Sequence, residues 1–150
     1  MKTLYDTATA DVVKARLKEL RPDSQRLWGK MSAAQMVEHC ARGVEWAVDD
    51  VRPPRVLMGR ILGPIIKPLA LKDDAPMRRN SPTSPLLIVH EEGDMNLARE
   101  RLCALIDRLV AGGKKACTKH PHTFFGKMTA DDWGVLMYKH LDHHLRQFGA

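Results

Sequence analysis

Apolar residues recur at helical spacing in four stretches of this chain, and each stretch carries its own start and stop signals. In the first, Val12, Val13, Leu17 and Leu20 predict a helix from about Thr9, read as its N-cap, to Leu20, with Pro22 as the stop. The second begins in the capping-box pattern Ser32-x-x-Gln35 and runs to about Asp49, and Pro53-Pro54 forbids its continuation. The third spans about Asp94 to Ala111 on a stripe of Leu97, Leu102, Leu105 and Leu109, and Gly112-Gly113 ends it. The fourth opens with Thr129-x-x-Asp132, places Asp131 and Asp132 where the helix dipole favours negative charge, and closes at Gly149. More than forty residues separate the second helix from the third, including the Pro-rich stretch Arg52–Pro85 and a β-like run, Leu86-Leu87-Ile88-Val89. A connection that long can carry the chain back along a bundle and make the helices it joins parallel. The expectation is an all-α, four-helix-bundle domain over residues 1–150 with a long crossover between helices two and three.

The chemistry in this pattern lies in histidine. Of seven histidines (39, 90, 120, 122, 140, 143 and 144), three crowd the last helix. His140 and His144 lie ~40° apart on the helical wheel and roughly 6 Å apart along the axis. Two imidazoles so placed can grip one cation, the arrangement used by HExxH helices. Trp133, Met137 and Phe148 flank the same sector, so the pair faces the core, where an imidazole without partners is costly. His143 falls on the flank with Lys139. A His140/His143 pair is geometrically open but divides the apolar face less well. His39 is the candidate third ligand, mid-helix at the edge of the apolar sector of helix two, with Gly43 one turn on leaving room beside an imidazole. Three neutral imidazoles make a site with an open position, the pattern of a catalytic metal, and zinc is the first choice, with nickel or iron as alternatives. A structural site would instead be closed by a fourth ligand, with His120, His122 or His143 as the candidates. His90, His120 and His122 sit in loops, where histidines are usually solvated, and are read as non-ligands. Glu38 and Asp142 adjoin ligands in sequence but point away from the metal face, so no general base is evident.

Charge and cysteine narrow the partners. The net charge is +6, and Arg52 to Arg79 holds seven basic residues against two acidic ones. The eight aromatic residues form no stacking platform with them, so no nucleic-acid role is expected. Cys40, Cys103 and Cys117 are odd in number and widely spaced, which argues against a disulfide framework and for the cytoplasm. Cys40 and Cys103 fall in helical apolar patterns and Cys117 in a polar loop, where exposure is expected. The N-terminus has no apolar core of a signal peptide, and Val56–Leu71 is too short and too interrupted to span a bilayer, so no membrane partner is expected.

Two segments carry a resemblance. Trp28-Gly29-Lys30-Met31-Ser32-Ala33-Ala34-Gln35-Met36-Val37-Glu38-His39 resembles the second-helix entry of DinB-like (DinB/YfiT) proteins, and His140-Leu141-Asp142-His143-His144-Leu145-Arg146-Gln147 resembles their last helix. His120-Pro121-x-x-x-Phe125-Gly126-Lys127-Met128-Thr129, leading to Trp133 and Gln147-Phe148-Gly149, looks like an uncharacterised branch of that superfamily. The resemblance implies an up-down-down-up four-helix bundle with a three-histidine metal site, falling here on His39, His140 and His144. Characterised relatives include thiol transferases using low-molecular-weight thiols, and maleylpyruvate isomerases. One reading is therefore a metal-dependent enzyme, a thiol (S-)transferase acting on a small-molecule substrate. In it Trp46, Trp133, Met36, Met137 and Val56–Leu71 wall the pocket. A metal-bound hydroxide serving a hydrolase is a variant of it. The other is a non-catalytic metal-binding or stress-response module, a homodimer with Val56–Leu71 as interface.

Overall fold

The computed structural model describes residues 1–49 and 51–150. Among them are five α-helices and no strand: α1 (Thr7–Glu19), α2 (Ala33–Val48), α3 (Leu57–Ala70), α4 (Met95–Ala116) and α5 (Ala130–Gln147), with a 3-10 turn at Pro85–Leu87 before α4. The sequence signals for α2 and α5 act as expected. Ser32 and Thr129 each accept the N3 backbone N–H, and Gln35 and Asp132 reciprocate, which pairs donors a helix start otherwise leaves unsatisfied. The cap of α1 is Asp6 rather than Thr9. Its carboxylate takes both the backbone N–H and the hydroxyl of Thr9, at 2.9 and 2.7 Å. In α4, Gly113 leaves helical geometry at φ 55°, so the regular helix breaks at the glycine pair the sequence marks.

α1, α2, α4 and α5 pack together as a bundle. α2 lies against α4 and α5, α1 against the same two, and α4 meets α5. Leu17, Met36, Leu102, Ile106, Leu141 and Leu145 fill the centre with essentially no exposure. Two positions of the expected stripes, Val12 and Leu97, are instead exposed. Ion pairs sew the seams: Arg101 to Glu38 and Glu45, Arg108 to Asp49, and Lys14 to Asp107. Cys117 is buried, contrary to the expected exposed loop thiol, because the turn after α4 folds back. Thr118 N–H donates to the Ala47 carbonyl, and the thiol meets Tyr5.

The crossover departs furthest from expectation. Residues Leu57–Ala70 form a helix despite Pro64 and Pro68. Both prolines and Arg60 are exposed, so the carbonyls that lose a helical donor, those of Arg60 and Pro64, belong to residues on the water-facing side, where solvent can answer them. No backbone of another helix lies against α3 among the described residues. It rests instead on the loop before α5. A methyl at Gly59 would stand 2.6 Å from the Phe124 backbone, and one at Gly63 would overlap the Phe124 carbonyl oxygen. Lys67 ties the helix down through the Lys127 carbonyl and Asp132. The stretch thus faces outward and does not wall an interior pocket. The β-like run at Leu86–Val89 is also not a strand. Ser84 caps a 3-10 turn there, and no partner strand exists among the described residues. No helix is long and apolar enough to cross a membrane.

Candidate metal centre

α2 and α5 bring His39, His140 and His144 together, with one ligand nitrogen from each within 4.8 Å of the others. Ring centroids stand 4.9 Å (39–140), 4.6 Å (39–144) and 4.8 Å (140–144) apart. His39 and His144 are buried, and His140 is partly buried.

Orientation comes from partners outside the cluster. His39 Nδ1 lies 2.9 Å from the Leu87 carbonyl oxygen, which can only accept. Nδ1 therefore carries the proton, and Nε2 presents its lone pair to the cluster. His144 Nδ1 lies 2.9 Å from Gln147 Oε1, and Gln147 Nε2 donates to the Trp28 carbonyl at 2.8 Å. That second bond fixes which way the amide points and hence which nitrogen of His144 is protonated. A side chain at Gly29 would collide with Gln147, so the loop before α2 is shaped around this bond. Imidazoles that donate one N–H to a carbonyl and aim the other nitrogen at a common point are the outer arrangement of a metal site.

His140 supplies the test of fit. Its Nε2 is 2.9 Å from His39 Nε2, and its Nδ1 is buried with no partner. A single proton shared between His39 and His140 would leave the His144 lone pair unanswered. A cation answers all three Nε2 lone pairs at once. The donor set, three neutral imidazoles with no carboxylate, is one that could hold a divalent metal ion. Gly43 lies beside His140 rather than His39. A methyl there would approach His140 Cε1 to 3.0 Å and Nδ1 to 3.2 Å.

Electrostatics keeps these rings ready to ligate. Burial holds His39 below its ordinary value. Burial, reinforced by His144 and His39, holds His140 well below it, and burial with the neighbouring His39 pushes His144 down to about 3. All three are neutral at physiological pH. The carboxylates beside them in sequence are spoken for. Glu38 meets Arg42 and Arg101, while Asp142 sits between Arg16 and Arg146, each 2.7 Å away. Burial raises the Asp142 carboxyl, and the two arginines outweigh it and hold it below the usual range.

The remaining histidines lie outside the cluster. His143 packs edge-on to His144 and to Trp28, and the Arg79 guanidinium stands over the Trp28 ring, 4.1 Å from its centroid. His90 is exposed. His122 is not a solvated loop residue as expected. Its Nδ1 accepts the Phe124 and Phe125 N–H groups, its ring stacks on Phe125, and burial pushes it down to about 4. Sequence reasoning missed Gln147 as the residue that orients His144. The signal was the three-residue spacing, which puts both on one helix face. The Leu87 and Trp28 carbonyls left no signal, because any residue supplies one.

Fold and site together define an all-α helical-bundle protein with a three-histidine cluster that could hold a metal ion. The chain belongs to the family described as "Protein of unknown function (DUF1569)", whose model matches residues 3–150. No curated protein and no solved structure matches it.

Proposed function

We propose that this chain is a metal-dependent enzyme that uses His39, His140 and His144 to hold a divalent ion, zinc first, and transfers a small-molecule thiol to an electrophilic substrate. The observation that carries the reading is the fixed tautomer of His39 and His144, each donating Nδ1–H outward and leaving Nε2 free for a ligand, with one ligand nitrogen of each of the three rings within 4.8 Å of the others. An ion held by three neutral nitrogens retains an open position and, when bound, favours the anionic form of a thiol that reaches it. The chain's own residues do the rest. Trp28 and His143 border the cluster, and Arg79, stacked on Trp28, offers a cation to the carboxylate that small biological thiols commonly carry. No unpaired carboxylate faces the cluster among the described residues, which favours a reaction needing no protein base.

We further propose an up-down-down-up course of the four bundle helices, in one domain. Along α2, Glu38 and Asp49 meet Arg101 and Arg108 of α4 in the same order, while Lys14 of α1 meets Asp107 and the later Leu20 meets Arg99. Three unpaired thiols support a reducing compartment, the cytoplasm.

The test is metal analysis of purified protein and of His39→Ala and His144→Ala, followed by thiol consumption with a chlorodinitrobenzene-type electrophile. One ion per chain, lost in both variants, and metal-dependent turnover with some thiol are expected. Unchanged metal content in both variants overturns the ligand set. Normal metal with no turnover for any thiol overturns the transferase.

A further inference from the structure

α3 is amphipathic in the reverse sense. A helix on a protein surface ordinarily turns its apolar stripe inward. This one turns a glycine stripe inward, Gly59 and Gly63, and directs aliphatic side chains to the outside: Leu57 is 74% exposed, Ile61 66%, Ile65 63% and Leu69 62%, with Met58, Leu62 and Ile66 beside them. These seven present on the order of 700 Å² of apolar surface, above the patch of roughly 300–600 Å² that soluble monomers usually show. The helix is also anchored. Val56 N–H donates to the Thr123 carbonyl, Lys67 is paired with Asp132, and no side chain would fit between either glycine and Phe124. The outward face is thus held in place by the body of the protein.

Area does not decide what covers this face. Two copies meeting there would bury about 1,400 Å², within the usual range for a specific interface. Charge decides it. From Val51 to Lys72 there is no acidic residue, and Arg52, Arg55, Arg60 and Lys67 lie before and along the helix; Asp73 and Asp74 just beyond it are engaged, Asp73 by Lys72 and Lys139 and Asp74 by the Lys2 N–H. Arg52, Arg60 and the neighbouring Lys127 are exposed and have no carboxylate partner among the described residues. A two-fold contact sets the same patch against itself and would bring these cations together. An anionic bilayer surface answers them, and it takes up aliphatic side chains at the same depth. We infer that α3 is a peripheral membrane-docking helix, laying Leu57, Met58, Ile61, Ile65 and Leu69 into the headgroup boundary of an anionic bilayer with Arg52, Arg60 and Lys127 on its phosphates. At 14 residues it lies on the surface rather than crossing it.

Flotation of the full chain with vesicles tests this inference, using phosphatidylcholine alone and phosphatidylcholine mixed with phosphatidylglycerol. The expected result is at least about tenfold more binding to the anionic vesicles, declining as salt rises. Ile61→Asp/Ile65→Asp should abolish binding, and Arg52→Glu/Arg60→Glu should remove the preference for anionic lipid. Because these positions are exposed, both variants should keep wild-type circular dichroism, thermal midpoint and metal content, which separates this inference from the proposed enzyme. Absence of binding to either vesicle overturns it, as does equal binding to both. A wild-type dimer by light scattering that Ile61→Asp/Ile65→Asp converts to monomer, with no vesicle binding, gives the face to a second copy and also overturns it.

Discussion

α5 and α3 use the same kinds of side chain in opposite directions. α5 turns Trp133, Met137, Leu141 and Leu145 inward and sets His140 and His144 among them, so its polar chemistry is enclosed by apolar packing. α3 turns glycine inward and leaves its leucines and isoleucines in water. The difference shows that hydrophobicity alone does not say which way a helix faces. On α5 large residues fill the space between helices. On α3 the neighbouring backbone comes too close for any side chain, and the apolar residues fall on the free side by the geometry of the helical turn.

The sharpest break in that contrast is chemical. His144→Ala should reduce metal content from about one ion per chain to background by elemental analysis, whereas Ile65→Ala should leave it untouched. Acid should then separate the two regions through stability. Burial keeps His39, His140 and His144 neutral below pH 6.5, and His122 likewise, while the unfolded chain takes up protons near pH 6.5. The unfolded state then binds more protons, so the metal-free protein is fully stabilised above pH 6.5 and loses stability as pH falls below it, by up to about 1.4 kcal/mol per pH unit for each histidine. Urea midpoints at pH 7.5, 6 and 5 would check this, and a flat profile would mean the rings are not buried as described.

Packing gives the next contrast. Leu141→Ala, in the fully buried centre of α5, should cost about 2–5 kcal/mol, and Ile65→Ala, on the outer face of α3, no more than about 0.5 kcal/mol. Similar losses at the two sites by denaturant titration would show that α3 is covered in solution. The smallest expected effect concerns orientation. Gln147→Leu frees the His144 ring to choose its tautomer and should weaken metal binding about 10–100-fold while leaving the fold intact, measured by chelator competition.

Legibility in the sequence followed the same division. The starts of α2 and α5 were readable because a capping box is local, with both partners within three residues. His140 and His144 were readable as a pair because helical geometry alone puts them one turn apart, and His39 because it stood on an apolar sector. The convergence of α2 on α5 follows no local rule and entered as an expectation. α3 was missed because two prolines argue against a helix, and only exposure, a property of the assembled chain, makes them tolerable there. Leu86–Val89 read as a strand from composition, yet a strand needs a partner that no other segment offers. Cys117 and His122 were misplaced in water for a related reason. Their burial depends on how the segments around α4 and α5 fold back, with Thr118 on Ala47 and Phe125 over His122.

The acceptor that orients His39 is a main-chain oxygen, that of Leu87. Residue identity at position 87 can therefore drift without removing it, since every amino acid carries the same group. What the contact does not tolerate is a change in chain length. Deleting or inserting one residue between Ser84 and Met95 would shift that oxygen out of register with the ring, so among related sequences this stretch should vary in letters and hold constant in spacing.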